Sequence, residues 1–104
     1  MAVTKLTTQE FDAAVAEGAV LVDFFATWCV PCKMLAPDVH ALAEDNPSLR
    51  VYQVDVDEEP ALAQRFRIMS IPTLVSFKDG QAVRTAIGRV SREELDALAA
   101  EVLA

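Results

Sequence analysis

The sequence predicts an α/β fold, a central mixed β-sheet with helices on both faces. Two observations carry that expectation. Amphipathic segments at helical spacing alternate with short apolar, β-branched runs through the first two thirds of the chain, the pattern of strands joined by helical crossovers. The dipeptide Asp79-Gly80 then joins two late strands as a tight hairpin, so those two must be antiparallel. With 104 residues, residues 1–104 are expected to form one domain, there being room for one compact unit and not two.

Taken in order, Thr7 with Glu10 three residues on forms a capping box, where each side chain satisfies a free backbone donor of the other. Phe11, Val15 and the intervening alanines give a short amphipathic helix that stops at Gly18. Val20 to Phe25 is nearly unbroken apolar sequence and reads as a strand buried on both faces. Asp23 is its exception. A helix is expected from Cys32 to about Asp45, kinked at Pro37, because proline removes a donor and crowds the preceding turn. Arg50–Val56 reads as a second strand. Glu58, Glu59 and Pro60 open a helix to about Phe66. Thr73–Phe77 and Ala82–Ala86 are the hairpin strands. Ser91 with Glu94 caps a last helix through Leu95, Leu98 and Val102.

Composition removes several function classes. Sixteen acidic residues against nine basic ones give a net charge of -7, a solvated acidic surface with no footprint for nucleic acid. No apolar stretch approaches the roughly 20 residues that span a bilayer, and the N-terminus lacks a signal-peptide pattern. No membrane partner, a cytoplasmic location and a monomer are expected. Neither a Gly-rich phosphate loop nor a dinucleotide fingerprint is present, so the chain holds no nicotinamide of its own. A single histidine, His40, without a nearby nucleophilic serine gives a hydrolase triad no support.

The chemistry lies in Trp28-Cys29-Val30-Pro31-Cys32-Lys33, between the buried strand and the helix that follows. A helix N-terminus presents free N–H groups and a positive dipole end. Both favour thiolate over thiol, so Cys29 is expected to titrate below the usual value of about 8.5. Cys32, three residues on, can reach Cys29 around the first turn, and Pro31 stiffens that turn without losing a needed bond. A bridge closing so small a loop adds little stability, which points to a bond that opens and closes. Cys29 would attack a partner's disulfide, and Cys32 would then displace the partner. Asp23, six residues before Cys29, could take the proton of Cys32, its pKa raised by burial toward neutrality; a purely structural hydrogen-bonding role is the other reading. Half of a zinc site is disfavoured, because zinc wants four ligands and only His40 is left to join the pair. Two inert buried thiols fit poorly with Trp28 and Pro31 at a helix start.

With these residues in view, the chain resembles the thioredoxin family over nearly its whole length. Val22-Asp23-Phe24, Ala26, Trp28-Cys29, Pro31-Cys32-Lys33, Met34, Pro37, Ile71-Pro72-Thr73, Phe77-Lys78, Gly80 and Gly88 carry the resemblance. It implies the thioredoxin fold, with Pro72 after a cis peptide bond and beside the two sulfurs. There it would leave the backbone near Ile71 free to pair with an extended substrate segment and keep metals off the sulfurs. It also implies a shallow apolar groove around Cys29 lined by Trp28, Ile71, Pro72 and Gly88. By themselves, Trp28 and Ile71 could equally be core residues and Gly88 a turn glycine. No cofactor is implied beyond the dithiol. Electrons would come from NADPH through a partner, thioredoxin reductase, and go to proteins with exposed disulfides.

Three positions depart from the family pattern. Val30 replaces the usual glycine; Val30 and Pro31 lie between the cysteines and tune the redox potential, so a shifted potential is expected. Gln53 stands where lysine is common, and without that charge Asp23 should hold its proton more tightly. Phe25 replaces a tryptophan, leaving Trp28 as the one tryptophan. The leading expectation is a protein disulfide reductase. An oxidant or isomerase on the same fold, and a non-catalytic binding module using the same groove, are the alternatives.

Overall fold

A computed structural model describes residues 2–104. Its five strands are β1 (Val3–Lys5), β2 (Ala19–Phe25), β3 (Arg50–Asp55), β4 (Thr73–Lys78) and β5 (Gln81–Ile87), and its helices are α1 (Thr8–Val15), α2 (Val30–Asp45), α3 (Pro60–Arg65) and α4 (Arg92–Leu103). The sheet order is β1-β3-β2-β4-β5. β1, β3 and β2 run parallel, while β4 and β5 are antiparallel to their neighbours. The mixed sheet expected from the sequence is therefore present.

β2 lies at the centre, and six of its seven residues are buried. Side chains alternate across a strand, and the two faces of β2 meet different helices. Val20, Val22 and Phe24 join Phe11 and Val15 of α1 and Leu62 of α3. Ala19 and Leu21 join Leu35, Val39 and Leu42 of α2 and Leu95, Leu98 and Val102 of α4. Asp23 shares the parity of Leu21, so it points toward the α2–α4 layer. On the other face Phe66 sits 5.1, 5.8 and 5.7 Å from the ring centroids of Phe11, Phe24 and Phe77, within the range where aromatic pairs attract beyond simple burial.

Both capping boxes form, at Thr7–Glu10 and Ser91–Glu94. Ser91→Ala removes the oxygen that receives the Glu94 N–H at 3.1 Å. It is expected to lower stability by about 1 kcal/mol, read as an earlier midpoint in urea with unchanged slope. The hairpin turn carries φ of 49° at Asp79 and 85° at Gly80. Two adjacent left-handed residues are the requirement of the two-residue turn that matches strand twist. Asp79 also receives the Gly18 N–H on Oδ1 at 2.7 Å and donates its own N–H to Gly18 O at 3.0 Å, which ties the hairpin to the start of β2.

Some boundaries differ from the expectation. β1 has no counterpart in the sequence pattern. α2 starts at Val30, two residues before Cys32, and runs through Pro37 as one helix. α1 stops at Val15 with its cap at Ala16, short of Gly18. β3 ends at Asp55, and α3 ends at Arg65.

Candidate active site

The earlier start of α2 makes Cys29 its N-cap residue, with extended backbone (φ -87°, ψ 109°). Val30, Pro31 and Cys32 form the first turn, where Pro31 lacks only a donor that would have had no partner. The Cys29 Sγ accepts the Cys32 N–H at 3.2 Å. A sulfur thus takes the place usually held by a serine or aspartate oxygen at a cap. Cys29 and Cys32 are joined as a disulfide, with Cα atoms 5.3 Å apart. Both residues are nearly buried, 4% and 5% exposed, against Ala26, Phe25, Val56 and Ile71.

The segment leading into β4 supplies the second wall. The Ile71–Pro72 peptide is cis, and the Ile71 carbonyl oxygen lies 3.8 Å from Cys29 Sγ. Gly88, at the end of β5, donates its N–H to Pro72 O at 2.8 Å with φ of 90°. Nothing lies within 4 Å of a Cβ built there, so backbone conformation rather than space favours glycine. Trp28 is 66% exposed, which removes its core reading, and its Nε1 donates to Asp57 Oδ2 at 2.8 Å. Val30 and Met34 are exposed on the same helix start, and Ile87 beside Gly88. Ile71 is half-buried and Pro72 buried. Trp28 adjoins Cys29 in the chain, Ile71 touches it, and Pro72 and Gly88 are joined by a backbone hydrogen bond beside it.

Asp23 lies beneath this surface, 1% exposed. Its sheet neighbours are Gln53 on β3 and Leu74 on β4. Oδ1 has no hydrogen-bond partner. Burial pushes its pKa up to about 6, and the Gln53 side chain opposes that shift. Gln53 and Cys32 also line one hollow of about 320 Å³ with Phe25, Ala26, Thr27, Lys33 and Ala36. A larger hollow, about 770 Å³ between β5 and α4, does not touch the cysteines. Gln53→Lys would put an ammonium beside the carboxyl, and an opposite charge at this range lowers a carboxyl pKa by about 1–3. The Asp23 midpoint is expected to fall below about 5, followed by NMR titration of its carboxyl carbon; an unmoved midpoint would show that Gln53 does not set it.

Two contacts of this surface have no signal in the sequence. Asp57 holds the Trp28 indole from 29 positions away, and Arg89 Nη1 lies 3.8 Å from Met34 Sδ. No local pattern marks either pair, because they are made only when the β3–α3 loop reaches the segment before α2 and the β5–α4 loop reaches α2. His40 is half-buried on α2. Among the described residues, no cluster of three or more His, Cys, Asp or Glu side chains could hold a metal, and no helix is long and apolar enough to cross a membrane.

Comparison with known proteins gives one answer. The Thioredoxin family model matches residues 2–101. A thioredoxin of Staphylococcus aureus is 48% identical over 104 residues, spanning 99% of this chain and 96% of the relative. The crystal structure of Malassezia sympodialis thioredoxin superposes with a TM-score of 0.90 at 33% identity, over 98% of this chain and 94% of that one. A point-mutant thioredoxin from Halobacterium salinarum superposes with a TM-score of 0.91 at 36% identity, over 98% and 91%. Similar sequences, the same fold and a bridged cysteine pair lead to one conclusion: the chain belongs to the thioredoxin family and is a thiol–disulfide oxidoreductase working through Cys29 and Cys32.

Proposed function

We propose that Cys29 is the attacking thiolate, that Cys32 resolves the mixed disulfide, and that Asp23 receives the proton Cys32 must lose. The observation that carries this order is the cap position of Cys29, whose Sγ receives the Cys32 N–H. In the dithiol form the same N–H and the helix dipole favour negative charge on that sulfur. The Cys29 thiolate attacks one sulfur of a substrate disulfide, forming the mixed disulfide and releasing the first substrate thiolate. The Cys32 thiolate then attacks Cys29 Sγ, the mixed bond breaks, and the second thiolate leaves. Two electrons pass to the substrate, and Cys29–Cys32 is left oxidised. Trp28, Ile71, Pro72 and Gly88 form the groove that positions the substrate segment, while Val30 and Pro31 set the potential of the pair.

The one domain of residues 1–104 acts as a monomer in the cytoplasm. NADPH electrons restore the dithiol through thioredoxin reductase, and the substrates are proteins with accessible disulfides. Family membership and the bridged pair support this reading. The test is turbidimetric reduction of insulin, with and without an NADPH-driven thioredoxin reductase. Precipitation sustained by NADPH is expected. Reduction by dithiothreitol alone with none by the reductase would refute the assigned donor, and a reduction potential above the glutathione poise would make the chain an oxidant.

A further inference from the structure

Five of the nine basic side chains of this acidic protein are engaged. Lys5, Arg65, Arg84 and Arg92 form ion pairs with carboxylates, and Lys78 donates to the Val102 and Ala104 carbonyls. Arg89 is different. It follows Gly88, whose N–H is fixed to Pro72 at the disulfide's edge. Its exposed guanidinium reaches across to α2 and meets only the Met34 thioether, at 3.8 Å. A thioether sulfur is a weak acceptor, so this contact leaves the guanidinium charge uncompensated. Lys33, next to Met34, is also exposed and among the described residues has no carboxylate within ion-pair distance. The groove is therefore polarised. Its Trp28 flank carries Asp57, and its Met34 flank carries the uncompensated Arg89.

We propose that Arg89 is a specificity-determining residue that favours substrate disulfides with an acidic side chain beside the attacked cysteine. The proposal rests on the exchange reading above and names its substrate class. A carboxylate replacing the thioether as partner of Arg89 gains a charge-assisted bond, about twice as strong as a neutral one. The net charge of -7 works in the other direction, repelling acidic partners at long range. At physiological ionic strength the screening length is about 8 Å. Contacts made at the groove then outweigh the distant charge, and the sign of the preference decides between the two effects.

The test uses four peptide disulfides, each with one Glu or one Lys, placed before or after the cysteine and otherwise identical. Their second-order rates with the reduced protein are measured at about 0.15 M salt, the condition of that screening length. At one of the two flanks the Glu peptide is expected to react about threefold to fivefold faster than its Lys counterpart, the scale of an exposed ion pair. Arg89→Glu should bring that ratio below one, and Arg89→Lys should keep most of it. Each ratio is taken within one protein sample, so a change in folded fraction cancels. Ratios at or below one at both flanks, or a ratio unmoved by Arg89→Glu, overturn the proposal. Reduction of none of the peptides would instead show that the exchange reading beneath it is wrong.

Discussion

Cys29→Ser is expected to abolish disulfide reduction while the domain stays folded, and Cys32→Ser to accumulate a covalent adduct with substrate. The asymmetry follows from the helix start. Cys29 occupies the cap, where its sulfur receives a backbone N–H; Cys32 lies inside the first turn, where its own N–H is the donor. Only the first sulfur has a built-in preference for negative charge. Without Cys29 no mixed disulfide forms, and without Cys32 the mixed disulfide has no resolving thiol. Non-reducing electrophoresis and intact mass after mixing with a disulfide protein separate the two. An adduct on Cys32 in the Cys29→Ser variant would reverse the assignment. Stability changes little by comparison. The chain-entropy estimate for so short a loop is about 2 kcal/mol, so either serine variant should still unfold cooperatively. Loss of activity then reports chemistry rather than collapse.

Much of this arrangement is legible in the sequence, for identifiable reasons. β2 announces itself because a strand covered on both faces leaves an apolar run. The hairpin does so because Asp79-Gly80 supplies two left-handed residues in the smallest space. The two capping boxes specify helix starts through side chains three residues apart. Where sequence and structure part, the deciding interaction is not local. β1 is three residues long with only Val3 buried, and pairing with β3 from Val3↔Val51 onward makes it a strand. The true start of α2 is hidden because a cysteine sulfur is not a usual cap, and valine after it is a weak helix former. Asp57 beneath Trp28 and Arg89 over Met34 depend on loops converging from distant parts of the chain.

Asp23→Asn is expected to stabilise the protein at pH 8, to leave it almost unchanged at pH 4, and to slow release of the mixed disulfide. A carboxyl with no cationic partner at the centre of the sheet is most costly when ionised. Its folded pKa is about 6, raised by burial and opposed by Gln53, against about 3.9 in an unfolded chain. Between those values the folded state keeps a proton that the unfolded state has lost. Stability therefore falls as pH rises through that window, and above about pH 6 the full penalty, about 3 kcal/mol, is present. Asparagine keeps the shape and cannot ionise, so it removes the penalty where it exists and does nothing below the unfolded pKa. The gain should grow from about 0.5 kcal/mol at pH 4 to as much as about 3 kcal/mol at pH 8, read by urea unfolding of the oxidised protein at both pH values. An equal gain at the two would assign the effect to packing. In the proposed mechanism the same substitution takes away the acceptor for the Cys32 proton, and water must replace it. Resolution of a preformed mixed disulfide should slow by about a hundredfold, the low end of general-base contributions, with the rate then following hydroxide concentration. A position that loses stability in exchange for a titrating group near neutrality is one shaped by the reaction rather than by the fold, and a variant more stable yet equally fast would contradict that.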